Sequence, residues 1–254
     1  MNLLGFEIYK LPPMIPPARL RCMVGEYSNV FQYRAVAENF LKCLNDLGNL
    51  QPSDKVLDVG CGCGQMAMAL TGYLNGGTYE GFDIVEEMVE WCKSNITPRH
   101  PNFHFRAVDV YSKFFNPRGH IAASKYKFPY PDKTFDFVFL KSVFTHMLPG
   151  DLENYLSEVA RVMKVSGKCL ITYFLLNGQP LGKSTLDFKY SHGFYRVLDK
   201  AKPEQAIAYD EEYIRTQYDK TELKIIEPLY LGSWCGRFMY LSYQDIVIAV
   251  RNSA

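Results

Sequence analysis

KVLDVGCGCGQ (Lys55–Gln65) carries an apolar run of strand length, Val56–Val59, straight into glycines at every second position, Gly60, Gly62 and Gly64. A strand ending on such a loop lets a ligand approach the main chain closely, because glycine accepts positive φ and presents no Cβ. A helix is expected over Gln65–Leu74, with Met66, Met68, Leu70 and Leu74 for packing and Gly76-Gly77 as its stop. Its first turn offers the positive end of the peptide dipoles to a carboxylate or phosphate. Dinucleotide-binding folds use the spacing G-x-G-x-x-G, which here would need glycine where Gln65 stands. The observed G-x-G-x-G after Asp58 counts against a pyrophosphate ligand and a nicotinamide enzyme.

Outward from this loop, strands and helices alternate. Upstream, Tyr33, Ala37, Phe40, Leu41, Leu44 and Leu47 recur at three- and four-residue steps, which predicts a helix from Val30 that stops at Gly48. Downstream, strands are expected at Thr78–Asp83, Asn102–Val108, Phe135–Leu140 and Lys168–Phe174, with helices at Val85–Ile96 and Leu152–Val165. This order predicts an α/β fold, a parallel sheet with helices on both faces. The last two strands, Leu223–Leu231 and Gln244–Val250, are joined only by a turn-rich stretch and should pair antiparallel.

Two stretches interrupt the pattern, 111–134 and 175–221, both rich in aromatic residues, the second with one helix near Asp210–Tyr218. In an open parallel sheet ligands sit beyond the carboxyl ends of the strands, so these substrate-side insertions read as walls or lids. A satellite core that keeps the loops folded is the alternative. Residues 1–29 read as an N-terminal arm on a single domain spanning 1–254.

Lys+Arg 28 against Asp+Glu 27 leaves a net +1 with no run of like charge. Nothing there suggests electrostatic capture of nucleic acid or anionic lipid, and the remaining partner is a small-molecule substrate. The seven cysteines have no paired C-x-x-C spacing and read as reduced thiols in a cytoplasmic protein. The apolar start MNLLGF is broken by Glu7, Lys10 and four prolines, so no signal core or membrane span is expected there. Oligomeric state leaves no mark on the sequence.

Beyond its glycine turn, a nucleoside ligand needs a carboxylate for the ribose and a slot for the base. Asp83, ending the second strand, is placed for ribose hydroxyls. Asp109, just past the third strand, is placed for an exocyclic amine, and Ile84 and Val110 can wall the base. Helix capping or a solvated strand end is the other role open to either aspartate.

The segments DVGCGCG (Asp58–Gly64), EGFDI with Asp83, AVDV with Asp109 and FDFVFLKSVFTHML (Phe135–Leu148) resemble, in order, the motifs of class I S-adenosylmethionine-dependent methyltransferases. The resemblance covers roughly residues 30–175, and the ending WCGR…SYQDIVIAV resembles bacterial small-molecule members. It implies a Rossmann-like seven-stranded sheet ordered 3-2-1-4-5-7-6 with strand seven antiparallel. It also implies S-adenosyl-L-methionine as methyl donor and S-adenosyl-L-homocysteine as product. Gly60 and Gly62 would lie against the methionine part, within a cofactor-binding loop that includes Asp58, Cys61 and Gly64. Asp83 would hold the ribose; Ile84, Asp109 and Val110 would frame the adenine; backbone at Leu140–Lys141 would meet the amino group.

Two positions depart from the family pattern. Lys141 stands where neutral residues are usual and is unhelpful beside a sulfonium, so it either points to solvent or holds an anionic substrate group. VMKVSGK (Val162–Lys168) replaces the usual proline and paired glycines, which alters a turn.

A sulfonium methyl is already electrophilic, so the protein must align donor and acceptor, exclude water and take the acceptor's proton. The Asn/Asp-Pro-Pro-Tyr/Phe signature for nitrogen acceptors is absent; the stretch reads LKSVFTHM, which points to oxygen or a carbon acid. His146 is the candidate general base, with capping or packing of the next helix as its other role. Ser142 and Thr145 are expected to satisfy local backbone groups. His120 is a further candidate at the substrate, His104 a sheet-face residue, and His100 and His192 loop residues. Tyr27 and Tyr33 stand ready either to close over the methionine end or to pack in the core. No local spacing proposes a metal site, although some sugar methyltransferases of this fold use a divalent ion. The implied reaction is O-methylation of a sugar, glycoside or secondary metabolite. C-methylation and a catalytically silent S-adenosylmethionine-binding partner are the alternatives.

Overall fold

The apolar runs of the sequence become the inner strands of a seven-stranded sheet in the computed structural model, which describes residues 14–25, 29–178, 186–238 and 240–252. The strands are β1 (Lys55–Val59), β2 (Thr78–Asp83), β3 (Phe103–Ala107), β4 (Phe135–Leu140), β5 (Met163–Tyr173), β6 (Leu223–Tyr230) and β7 (Asp245–Arg251). Their order is 3-2-1-4-5-7-6. Strands β3, β2, β1, β4 and β5 are parallel, and β7 runs antiparallel to both β5 and β6. Both the order and the antiparallel seventh strand agree with expectation.

Among the described residues six α-helices accompany the sheet: α1 (Ala18–Met23), α2 (Val30–Asp46), α3 (Gln65–Leu70), α4 (Glu86–Asn95), α5 (Pro149–Val162) and α6 (Glu211–Asp219). Inner strands have no polar face because both faces are covered, and alternate side chains feed two cores. Leu57, Val59, Val138 and Leu140 pack with residues of α5 and α6; Val56, Phe137 and Phe139 pack with residues of α2, α3 and α4. Asn29 caps α2 through its side chain, which accepts from the amides of Phe31 and Gln32.

Helix and strand ends depart from expectation in three places. Helix α3 ends at Leu70 rather than Leu74, as the Thr71 hydroxyl turns back to Met68 O and the Tyr73 amide takes Leu70 O in a tightened turn. Helix α5 begins at Pro149, whose missing amide suits a first turn, and ends at Val162. Strand β5 therefore starts at Met163, with a bulge between the pairs Phe135–Met163 and Phe137–Lys168 that Ser166 (φ +64°) turns. That bulge is the altered turn of VMKVSGK.

Both insertions contain unforeseen short strands. Val110–Tyr111 pairs with Ile121–Ala122. In the second insertion, Leu175–Leu176, Ile207–Asp210, Tyr195–Val197 and Tyr190–Ser191 form a small four-stranded sheet. Their aromatic residues divide between the two roles considered. Phe128 packs edge-on against Phe82 and Tyr155, and Tyr130 against Phe135. Tyr111, Phe114 and Phe115 instead line a cleft above the sheet.

Candidate active site

The carboxyl ends of β1, β2 and β4 open onto a cleft of about 1120 Å³. One small-molecule site takes ~300–1,000 Å³, so this space accommodates a second ligand beside the first. One half is built on the glycine loop, the other on the insertions.

In the loop half, Gly60, Gly62 and Gly64 all have positive φ, at 77°, 51° and 76°. The Gly60 and Cys61 amides donate to Phe82 O, at 2.9 and 3.0 Å, tying the loop to the end of β2. Asp83 completes the tie: its Oδ2 accepts from the Gly62 amide at 2.7 Å and its Oδ1 from the Val85 amide at 2.9 Å. Burial pushes the Asp83 carboxyl above its ordinary range, while those amides pull it back. Each oxygen keeps a further lone pair, and Asp83 lines the cleft with Ile84, Met88 and Val110.

Behind the loop, buried Asp58 accepts from Tyr79 Oη at 2.6 Å, and desolvation pushes its carboxyl up to about 7. Lys141, the first residue past β4, turns inward rather than to solvent. Its Nζ lies 3.3 Å from Gln65 Oε1 and 5.9 Å from the centre of the Phe40 ring. Burial pushes its ammonium down to about 8, and the charge of Asp58 acts against that.

In the insertion half, His146 ends a single 3₁₀ turn, Phe144–His146. Its Nδ1 is 2.9 Å from Glu204 O. A carbonyl only accepts, so Nδ1 carries the hydrogen and the neutral ring keeps its lone pair on Nε2. Burial lowers the His146 pKa from 6.5, favouring that neutral form. The Phe115 ring meets the imidazole edge to face at 5.0 Å. Glu204 also fastens the two insertions together: its carboxylate accepts from Ser112 Oγ and, at 3.3 Å each, from the Lys113 and Phe114 amides.

Of the expected cofactor residues, Asp58, Gly60, Cys61, Gly62, Asp83, Ile84, Val110 and Lys141 line this one cleft, together with His146. Three others do not. Gly64 faces α4, where an added Cβ would come within 2.6 Å of Ile96 Cδ1. The Leu140 side chain lies in the core. Asp109 does not line the cleft, and its carboxylate takes both the amide and the Nδ1 of His120, at 3.1 and 2.9 Å. His120 is not among the residues that line the cleft either.

Several other readings change. Tyr33 is fully buried with its hydroxyl 3.3 Å from Cys63 Sγ, a packing role rather than a closing one. Tyr27 lies outside the described residues. Ser142 donates to Gln244 Oε1 at 2.9 Å instead of to local backbone, and buried Thr145 Oγ1 finds no partner among the described residues. His104 stays a sheet-face residue as expected, in strand β3 with its Nδ1 3.0 Å from the cross-strand neighbour Glu80. Among the described residues no three His, Cys, Asp or Glu side chains converge to hold a metal, and no helix is long and apolar enough to cross a membrane. The residues missed were Glu204 and Tyr243–Gln244, which no periodicity or motif marks.

Residues 57–171 match the Methyltransferase domain family. Over 133 residues the chain is 29 % identical to 27-O-demethylrifamycin SV methyltransferase of Amycolatopsis mediterranei, covering 52 % of this chain and 43 % of that protein. Over 118 residues it is 30 % identical to fatty-acid O-methyltransferase of Mycolicibacterium smegmatis, covering 46 % and 36 %. Each match spans less than half the length of the curated relative. The PH0226 protein from Pyrococcus horikoshii shares the fold, with a TM-score of 0.58 and 20 % identity over 88 % of this chain and 93 % of that one. Through residues 57–171 the chain is thus similar to S-adenosylmethionine-dependent methyltransferases.

Proposed function

We propose that this chain transfers the methyl group of S-adenosylmethionine to a hydroxyl of a small molecule, a glycoside or secondary metabolite, with His146 as general base. The observation that carries the reading is the Nδ1 contact of His146 with Glu204 O, which leaves Nε2 as an acceptor on the cleft wall. The loop half suits the cofactor. Asp83 retains lone pairs for ribose hydroxyls, and Ile84, Met88 and Val110 make an apolar slot for a base. When bound, S-adenosylmethionine supplies the electrophilic methyl group. The chain's part is to hold an acceptor hydroxyl at Nε2, receive its proton there and keep water out. Phe114 and Phe115 offer flat apolar surface for a sugar face or an aromatic ring.

The test is release of S-adenosylhomocysteine over a panel of glycosides, phenols and carbon acids, with the methylated atom identified by mass spectrometry and NMR. Methyl found on carbon would replace this reading with C-methylation. Cofactor binding without turnover on any acceptor would favour a silent binding protein.

Two predictions belong here. Asp83→Asn removes a charged acceptor and should weaken S-adenosylhomocysteine binding about 10- to 100-fold by calorimetry, the range of a hydrogen bond to a charged group. An unchanged affinity would remove Asp83 from the cofactor site. Because burial lowers the His146 pKa from 6.5, the base form dominates at neutral pH. kcat/KM should therefore fall on the acid side, with its limb below 6.5, and the limb should disappear in His146→Ala.

A further inference from the structure

Sheet order decides which part of the cleft each part of an elongated nucleoside ligand occupies. With β3, β2, β1 and β4 side by side, the apolar slot at Val110 and Ile84 lies over β3 and β2. Asp83 ends β2, and Gly60 follows β1. A ligand whose base fills that slot and whose ribose meets Asp83 must send its remaining arm over β1 toward β4. Lys141 is the first residue past β4.

Lys141 is also the one Lys or Arg among the described residues that line the cleft. Its ammonium makes a single long hydrogen bond, 3.3 Å to the neutral Gln65 Oε1. Gln65 is held for that contact, since its Nε2 donates to Tyr33 O at 2.9 Å. The nearby Asp58 carboxylate is engaged by Tyr79 Oη, and no carboxylate among the described residues pairs with Lys141 within 4 Å. A half-buried ammonium with three donors and one neutral acceptor is better satisfied when an anion completes it. The Phe40 ring face at 5.9 Å and the charge of Asp58 favour a cation here, but neither gives its remaining donors a hydrogen-bond acceptor.

We propose that Lys141 is the counter-ion of the cofactor's amino-acid carboxylate, so that the chain selects a nucleoside bearing a complete amino acid over one that lacks this group. This rests on the reading of the loop half as the S-adenosylmethionine site and adds to it a charged contact at the far end of the ligand. The pressure of burial on the Lys141 ammonium, which lowers its pKa, is relieved when a carboxylate arrives.

The experiment is calorimetric titration of the full chain with two ligands, S-adenosylhomocysteine and its decarboxylated analogue, an adenosyl-thiopropylamine. The wild type should bind the first about 10- to 100-fold more tightly, the range for a hydrogen bond to a charged group. In Lys141→Met this preference should collapse to within about threefold, through weaker binding of S-adenosylhomocysteine alone. Lys141→Gln keeps a donor toward Gln65 without the charge, and should lose the preference in the same way. Equal weakening of both ligands, as from a lysine that only braces Gln65, would overturn the proposal. So would a preference retained in either variant. Failure of the wild type to bind S-adenosylhomocysteine at all would instead overturn the cofactor site beneath it.

Discussion

His146→Ala is expected to lower kcat by about 10²- to 10⁴-fold, the contribution of a positioned general base, while S-adenosylhomocysteine affinity stays within about twofold. The split follows from position. His146 is held by Glu204 O and the Phe115 ring, whereas the glycine loop is tied to Asp83 and Phe82 O, so loss of the imidazole should leave the loop's hydrogen bonds intact. Its effect on turnover follows from protonation: Glu204 O fixes the hydrogen on Nδ1, and burial keeps the ring neutral near pH 7. Alanine also leaves space beside Phe115, so added imidazole should restore part of the rate, with the restored rate rising as the imidazole is deprotonated. Full activity in His146→Ala would move the proton to another acceptor. Asp151 would be the next candidate, a cleft residue whose carboxyl burial raises. Loss of cofactor affinity in step with kcat would mean that His146 shapes the cleft and does no proton transfer.

The second large effect is on stability. Asp245 is 0 % exposed and opens β7. Its Oδ2 accepts from the Leu175 amide and Trp234 Nε1, both at 2.6 Å; its Oδ1 accepts from the Gly232 amide at 2.6 Å and Arg237 Nη1 at 2.9 Å. Four donors from two segments, the chain just past the end of β5 and the loop before β7, therefore converge on one carboxylate. Burial alone pushes this carboxyl upward, and the donors hold it back. Asp245→Ala strands them, including a guanidinium that is 14 % exposed. Removing one partner of a buried pair costs about 3–5 kcal/mol. At roughly 2–4 °C per kcal/mol for a chain of this size, the melting temperature should drop by about 6–20 °C. A shift under about 2 °C would show that the cluster is solvated and contributes little. The loop 231–244, whose Leu241 and Tyr243 border the cleft, hangs on this cluster. KM for the acceptor should therefore rise before the protein unfolds.

The fold was legible where both faces of a segment are buried. FDFVFL (Phe135–Leu140) has no polar face to disguise its length, and its strand ends where the apolar run ends. The glycine loop and Asp83 were legible because their chemistry is local, three alternate glycines and an acid at the next strand end. The sheet order came from resemblance to a family rather than from any periodicity. Other features depend on partners distant in sequence. Asp109 has the right position, but its carboxylate is taken by His120 and it does not line the cleft. Glu204 sits in KAKPEQA, which has no repeat or motif, and the groups that give it a role lie about ninety residues upstream. The early start of α5 had a local signal in Pro149, which the apolar stripe beginning at Leu152 outweighed. Strands of two to four residues in the insertions bury too few side chains to leave a pattern.

The clasp at Glu204 has a kinetic consequence on the proposed reading. One carboxylate takes hydrogen bonds from Ser112, Lys113 and Phe114 while the carbonyl of the same residue sets the tautomer of His146. Release of that residue would loosen the tie between the insertions and free the imidazole in a single event, so an opened site would also be an inert one. An acceptor would then enter and a methylated product leave only in the inert form, and proton transfer would occur only in the shut one. Turnover would be metered by the clasp's opening frequency and would slow with solvent viscosity more than with acceptor acidity.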